Sequence, residues 1–347
     1  MIHEEQKCVY TFGYRPQKIP KKLPGTIWGI TVYFNPSKSK LRHENFRRSI
    51  ASIRLQGLKI LCVELTFNDI PFEFEQTITD KMIRMRGDDR HMMWQKEALL
   101  NIALKNLPLE CDKVVWFDAD IIFDNKNWVS DTAKLLEEYV AIQPFSHLIR
   151  LPKYKGQFNF NDLNENITDL QRFPEPFGPR LYSTGRAISE NGTHSLKENY
   201  LSHGLTGYAW AARRDFLDDI SFYDKLILGN GDTVIAHALF GSFNTDEHPY
   251  FSEALIKDKL NWTRRVFAHT QGSVYFTKGN LYHLWHGTRK NRNFDKRRKA
   301  WKKFDFNPQL DIAKEPSGLW CWSSQKPELR YWIRDYFTAR DEDSDEG

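Results

Sequence analysis

The sequence predicts an α/β fold, a Rossmann-like three-layer α/β/α arrangement around a mostly parallel central sheet. Three observations predict it. From residue 26 onward, short apolar runs rich in β-branched and aromatic residues alternate with longer segments of helical period. The spacing between runs leaves room for a crossover helix, so neighbouring strands run parallel with right-handed connections. The composition is globular: 40% of the 347 residues are hydrophobic, and 24 Phe, 14 Tyr and 11 Trp exclude a wholly disordered chain.

The elements follow in order. TIWGITVYF (26–34) reads as a buried strand. Residues 43–56 read as an amphipathic helix with Phe46, Ile50 and Ile53 on one face, ended by Gly57. LKILCVELTF (58–67) is a second strand, and 91–106 a strong helix followed by Pro108. KVVWFDADIIF (113–123) is a third strand, 130–140 a helix capped at Ser130, and AIQPF (141–145) a short fourth strand. In such sheets ligands sit at the carboxyl ends of the strands, which puts Asn35, Glu64 and the Asp118/Asp120 pair on one edge. Residues 150–200 are rich in Asn, Pro and Gly and lack periodicity, the character of a functional loop or lid. The organisation expected is an N-terminal lead (1–19), a three-layer α/β domain (20–300), a C-terminal packing segment (301–340) with an aromatic stripe, and a free acidic tail (341–347).

Composition narrows the function classes. Four cysteines (Cys8, Cys62, Cys111, Cys321) show no metal-type spacing and make no disulfide framework. No apolar run approaches the roughly 18 residues of a membrane span. The first 25 residues carry no apolar signal core, so a cytoplasmic protein, of a cell or a virus-infected host, is expected. The formal charge is +5, but residues 289–303 hold nine basic side chains against one acid. That run is either a solvated helix face or a contact for a diphosphate or nucleic acid.

WFDADIIF is the most informative string. Side chains two apart on a strand point the same way, so Asp118 and Asp120 converge. Two convergent carboxylates repel unless a cation or proton lies between them, and a divalent metal bridging them to a phosphate resolves the conflict. A loop-capping pair is the structural alternative. Phosphatases of the haloacid-dehalogenase type also use such a pair, but after the first strand and with a later GDxxxD; here Gly231-Asp232 is followed by Ala236.

With this motif the sequence resembles the GT-A type of nucleotide-sugar-dependent glycosyltransferase, in its galactosyltransferase-like branch, over residues 26–298. HGLTGYAWAARRDFL (203–217) and LGNGDTVIAHALFG (228–241) resemble that branch's acceptor-side element, with one acid on the Gly229–Asp232 turn where some members carry more. LYHLWHGTRKNRNFDKRR (281–298) is similar to its closing metal-binding segment, with a gap one residue longer after His286. The sequence also resembles sugar-adding DNA-modification enzymes of phages and of base J synthesis.

The resemblance implies a GT-A fold and a metal, Mn2+ or Mg2+, held by Asp118, Asp120, His286 and His283; imidazole ligands favour Mn2+. It implies a nucleotide-diphosphate sugar as donor, UDP-linked, met by Thr31, Tyr33 and Asn35 at the first strand, Glu64 at the second, Lys96 and Asp118, with Arg289, Lys290 and Arg292 against the phosphates. An acceptor hydroxyl would lie near Gly207, Trp210, Gly231 and Trp285, the tryptophans offering stacking faces. Asp232, on a Gly-flanked turn, is the candidate base for an inverting reaction, with helix capping as its structural alternative. The acceptor is a saccharide or, alternatively, a hydroxylated base in DNA reached through 289–303. A nucleotidyltransferase lacks its Gly-rich loop here, since Asn35-Pro36-Ser37-Lys38 follows the first strand. A catalytically inactive sugar-nucleotide-binding module is the remaining alternative.

Overall fold

The computed structural model describes residues 16–151, 206–241, 243, 250–287 and 294–343, with the side chains of 294–298 excepted. The lid read at 150–200, from residue 152 onward, Arg289, Lys290 and Arg292, and the tail beyond Asp343 therefore lie outside the described residues.

The architecture is mixed α/β around a large, mostly parallel sheet. Among the described residues that sheet has seven strands, β1 (Thr26–Tyr33), β2 (Lys59–Phe67), β3 (Lys81–Gly87), β4 (Cys111–Phe117), β6 (Ala141–Gln143), β8 (Ala209–Arg213) and β9 (Val274–Phe276), in the order β3-β2-β1-β4-β8-β6-β9. Pairing is parallel throughout except at β8, which runs against both β4 and β6. A smaller sheet orders β5 (Ile121–Phe123), β10 (Asn280–His283) and β7 (His147–Arg150) as β5-β10-β7. A hairpin joins β11 (Ile312–Lys314) to β12 (Trp320–Trp322).

The helices are α1 (Lys40–Leu55), α2 (Lys96–Lys105), α3 (Trp128–Leu136), α4 (Arg214–Ile220), α5 (Gly231–Leu239), α6 (Glu253–Thr270), α7 (Phe294–Lys303) and α8 (Pro327–Thr338). The strands sort their side chains by period two. Leu61, Val63, Val114, Trp116 and Trp210 join one core with α2, α4, α5, α6 and α8. Ile60, Cys62, Val115, Phe117 and Ala211 join a second core with α1 and α3. Two cores on opposite faces of one sheet make three layers. On α1, Phe46, Ile50 and Ile53 are fully buried, each burial stabilising by about 1.5–3 kcal/mol. Ser39 caps its first turn by accepting from the N–H of Arg42, and Gly57, at φ +87°, turns the chain out of it.

Three local readings change. KVVWFDADIIF is not one strand: β4 stops at Phe117, and Ile121 starts β5 in the other sheet. The turn 118–120 between them therefore escapes the period-two rule that made the two acids converge. α3 begins at Trp128 after Asn127, so Ser130 lies inside it; its hydroxyl donates to the Asn127 carbonyl. β3 went unread because KMIRMRG is charged and poor in β-branched residues, which suits an exposed edge strand. The stretch 341–343 also differs from the free acidic tail expected: Glu342 is buried between two arginines, and Asp343 accepts from the N–H groups of Lys40 and Leu41.

Candidate functional site

Asp120, His283 and His286 come together beside the carboxyl edge of β4. The antiparallel pairing of β10 with β5 sets His283 opposite Ile121, and the N–H of Leu284 donates to the Asp120 carbonyl at 2.8 Å. His283 Nε2 lies 3.4 Å and His286 Nδ1 3.9 Å from Asp120 Oδ2. The two imidazoles meet edge to face at 4.6 Å, and one ligand atom from each residue falls within 4.8 Å of the others. One carboxylate oxygen and two imidazole nitrogens in partly buried surroundings are a donor set that suits a divalent transition cation. Among the described residues this is the one such group.

Asp118 does not join it. Lys96, the first residue of α2, holds Asp118 at 2.6 Å and Asp232 at 2.9 Å. The β4–β5 turn thus sends its two acids to different partners. Burial raises the Asp118 carboxyl above the usual range, with Asp232 and Asp120 adding to it against the pull of Lys96. Burial alone would lower the Lys96 ammonium, but Asp118 and Asp232 outweigh it and hold it well above its ordinary value.

Asp232 stands in the first turn of α5, after Gly229 and Asn230, both at positive φ. Its carboxylate lies beside Gly207, where an added Cβ would come within 3.5 Å of Oδ2. Gly231 faces Glu97: a Cβ there would sit 2.0 Å from Glu97 Oε1, so any larger residue requires the buried Glu97 side chain to shift. Glu97 itself is 2% exposed, and burial pushes its carboxyl up to about 8, against Lys96. Sequence reasoning passed Glu97 over because it reads as an ordinary helix residue beside Lys96.

The residues assigned to the nucleotide are occupied with the fold itself. The Thr31 hydroxyl is fully buried and donates to the Phe117 carbonyl at 2.9 Å, tying β1 to β4. The Tyr33 hydroxyl donates to Glu73 at 2.6 Å, and its ring packs edge-on against Phe46 and Phe74. Glu64 is buried and accepts from the Glu73 N–H at 2.6 Å, with Arg84 at 3.8 Å; burial raises its carboxyl. Asn35 braces the turn into α1, donating to the Ser39 carbonyl and accepting from its N–H. Of these four, Asn35 alone borders an open cleft of about 850 Å³, which Ser39, His43, Asn68, Asp69 and Glu73 also line. Period and strand position could not separate side chains that end in the core from those that open on this cleft.

Trp210 is a core residue, 1% exposed, with its indole N–H donating to the Thr206 carbonyl at 2.9 Å. It lies opposite Trp116 in the β4–β8 pairing, so it offers no stacking face. Trp285 is half-buried between the two histidines, and its carbonyl accepts from Asn45 of α1 at 2.7 Å. Arg42, which no motif marked, donates to the Phe34 carbonyl at the end of β1 and to Glu342.

No protein-family model and no curated protein matches the chain. Solved structures do. Glucosyl-3-phosphoglycerate synthase from Mycobacterium tuberculosis, in complex with Mg2+ and uridine diphosphate, is similar at 10% identity and a TM-score of 0.37, over 83% of this chain and 79% of that one. S. aureus TarS is similar at 13% identity and 0.35, over 75% of this chain and 36% of that one. The catalytic domain of Drosophila β1,4-galactosyltransferase 7, in complex with xylobiose, is similar at 10% identity and 0.30, over 73% and 64%. All three TM-scores lie below 0.5, too low to bear on function. Among the described residues no helix is long and apolar enough to cross a membrane.

Proposed function

We propose that this chain is a metal-dependent glycosyltransferase of GT-A type, moving a sugar from a nucleotide-diphosphate donor, UDP-linked, to a hydroxyl of a saccharide or related acceptor. The observation that carries this reading is the gathering of Asp120, His283 and His286 next to the Lys96–Asp118–Asp232 network. The two motifs come from distant parts of the sequence, and a metal–diphosphate site is what would need them side by side. Asp120, His283 and His286 would hold Mn2+ or Mg2+, which when bound offsets the charge growing on the diphosphate leaving group.

The chain's own residues supply the rest. Lys96 fixes the positions of Asp118 and Asp232 and adds a buried positive charge between them. Asp232 is the candidate base for the acceptor hydroxyl, and Gly207 beside it leaves room for that hydroxyl to approach. The cleft between α1 and residues 68–73 is the candidate room for the nucleoside, with Asn35, His43 and Glu73 as its polar lining. Nothing among the described residues favours a nucleic-acid acceptor or an inactive module.

The test is a thermal-shift panel of nucleotide sugars with Mn2+, Mg2+ or EDTA, on the natural chain and on Asp120→Ala. A ligand that binds the folded state alone stabilises it by about 2.7 kcal/mol at a hundredfold excess over Kd. The expected result is a metal-dependent shift for one donor that Asp120→Ala abolishes. Folded, metal-supplied protein that responds to no donor would remove the reading.

A further inference from the structure

The chain from Arg340 to Asp343 forms a strap that ties the end of the β10 segment to α1. Glu342 is 2% exposed within it. Its carboxylate accepts two bonds from Arg42, at 3.0 and 2.5 Å, and one from Arg340 at 2.5 Å. Asp343 accepts from the N–H groups of Lys40 and Leu41, both at 2.9 Å, and from the Ser39 hydroxyl at 2.7 Å. The strap therefore closes on the first turn of α1 with two adjacent carboxylates, each held by several donors.

Its other side lies on Gly287, the residue after His286. A Cβ at 287 would fall 3.0 Å from Glu342 Cα and 3.2 Å from the Glu342 carbonyl oxygen, and Gly287 takes φ +88°. Upstream, the Trp285 carbonyl is held by Asn45 of α1 at 2.7 Å. His286 is thus fixed from both neighbours, by α1 before it and by the strap after it.

We infer that the Arg340–Asp343 strap is a positioning element for the metal centre: it pins Gly287 so that His286 faces Asp120, and its Glu342 neutralises Arg42 beside that centre. Arg42 stands three residues before Asn45 on the same side of α1, and Asn45 reaches the Trp285 carbonyl next to His286. Left bare, the Arg42 guanidinium would oppose the arrival of a second cation. The inference rests on the metal reading of Asp120, His283 and His286.

The experiment is an Mn2+ titration of the full chain, followed by electron paramagnetic resonance of free Mn2+. It compares the natural protein with Glu342→Gln, Gly287→Ala and Asp120→Ala, each shown by circular dichroism to be folded at the assay temperature. Partners outside the ligand shell typically change metal affinity about 10–100-fold, and that loss is expected for both Glu342→Gln and Gly287→Ala. Destabilisation alone would leave the affinity of folded protein unchanged. Should Glu342→Gln not fold, an added Asp343→Ala variant decides, since it releases the strap from the first turn of α1 and leaves Gly287 at its φ of +88°. Natural-strength binding by the variants overturns the strap's role while leaving the metal site standing. Tighter binding also overturns it, because the strap would then be covering the site. A natural protein that binds no Mn2+, or an Asp120→Ala variant that binds it equally well, sinks the metal reading and the strap's role with it.

Discussion

Lys96 is the residue on which the candidate site turns. Its ammonium is largely buried and reaches two carboxylates that are themselves about a third exposed, Asp118 at 30% and Asp232 at 33%. Removing one partner of a buried ion group leaves the other charges uncompensated, at about 3–5 kcal/mol, and the exposure of the two acids reduces that. Lys96→Met is therefore expected to cost about 1–3 kcal/mol in urea unfolding and to lower transfer activity, since Asp232 loses the contact that orients it. An unfolding midpoint equal to the natural one would show that the network carries no such load. Sequence reasoning could name Lys96 as a partner of Asp118. It could not name the second partner, because Asp232 lies 136 positions away and only the fold brings the two together.

At the scale of the element, the first turn of α5 is set by what lies beneath it. Gly231 meets Glu97 of α2, and a Cβ would overlap its carboxyl oxygen. Overpacking of this kind typically costs about 1–3 kcal/mol. Gly231→Ala should therefore lose stability on that scale and move Asp232, lowering kcat. Truncating the clashing side chain in Gly231→Ala/Glu97→Ala should recover part of the stability loss, giving a coupling term in a double-mutant cycle. Additive losses in chemical denaturation would mean that the two residues do not touch. The β4–β5 turn teaches the complementary lesson. Its apolar flanks read as one strand because each half is buried, Val114–Phe117 in the large sheet and Ile121–Phe123 in the small one. A local pattern cannot report that the chain changes sheets at Asp118–Asp120.

For the whole molecule, two buried glutamates pull stability in opposite directions with pH. Burial alone would raise the Glu342 carboxyl, but Arg42 and Arg340 overcome it and hold it well below the usual carboxylate range. A depressed group contributes stability above the ordinary glutamate value of 4.5 and loses it as pH falls toward the folded value. Glu97 is raised instead, to about 8, so its contribution is complete below 4.5 and is lost as pH rises through about 8. Denaturation at a series of pH values should thus give a gap between the natural chain and Glu342→Gln that is widest near neutrality and closes in acid. In Glu97→Gln the decline of stability toward alkaline pH should flatten. A gap for Glu342→Gln that persists unchanged well below pH 4.5 would show that its worth is packing and not charge.

The sequence by itself determined the alternation of strands and helices and the buried faces of β1, β2, β4 and α1, and its motifs, by resemblance, named Asp118, Asp120, His283 and His286 as candidate metal ligands. These follow from period, composition and motif, which are local properties of the chain. Tertiary structure alone decided that Lys96 bridges Asp118 to Asp232, that Thr31, Tyr33, Glu64 and Trp210 serve the core, that Glu97 lies under Gly231, and that Glu342 closes on Arg42, 300 positions away. The reason is physical. Whether a polar side chain meets a ligand or a neighbour depends on which other segment is packed within hydrogen-bonding distance, and that is set by long-range packing that no short window of sequence encodes.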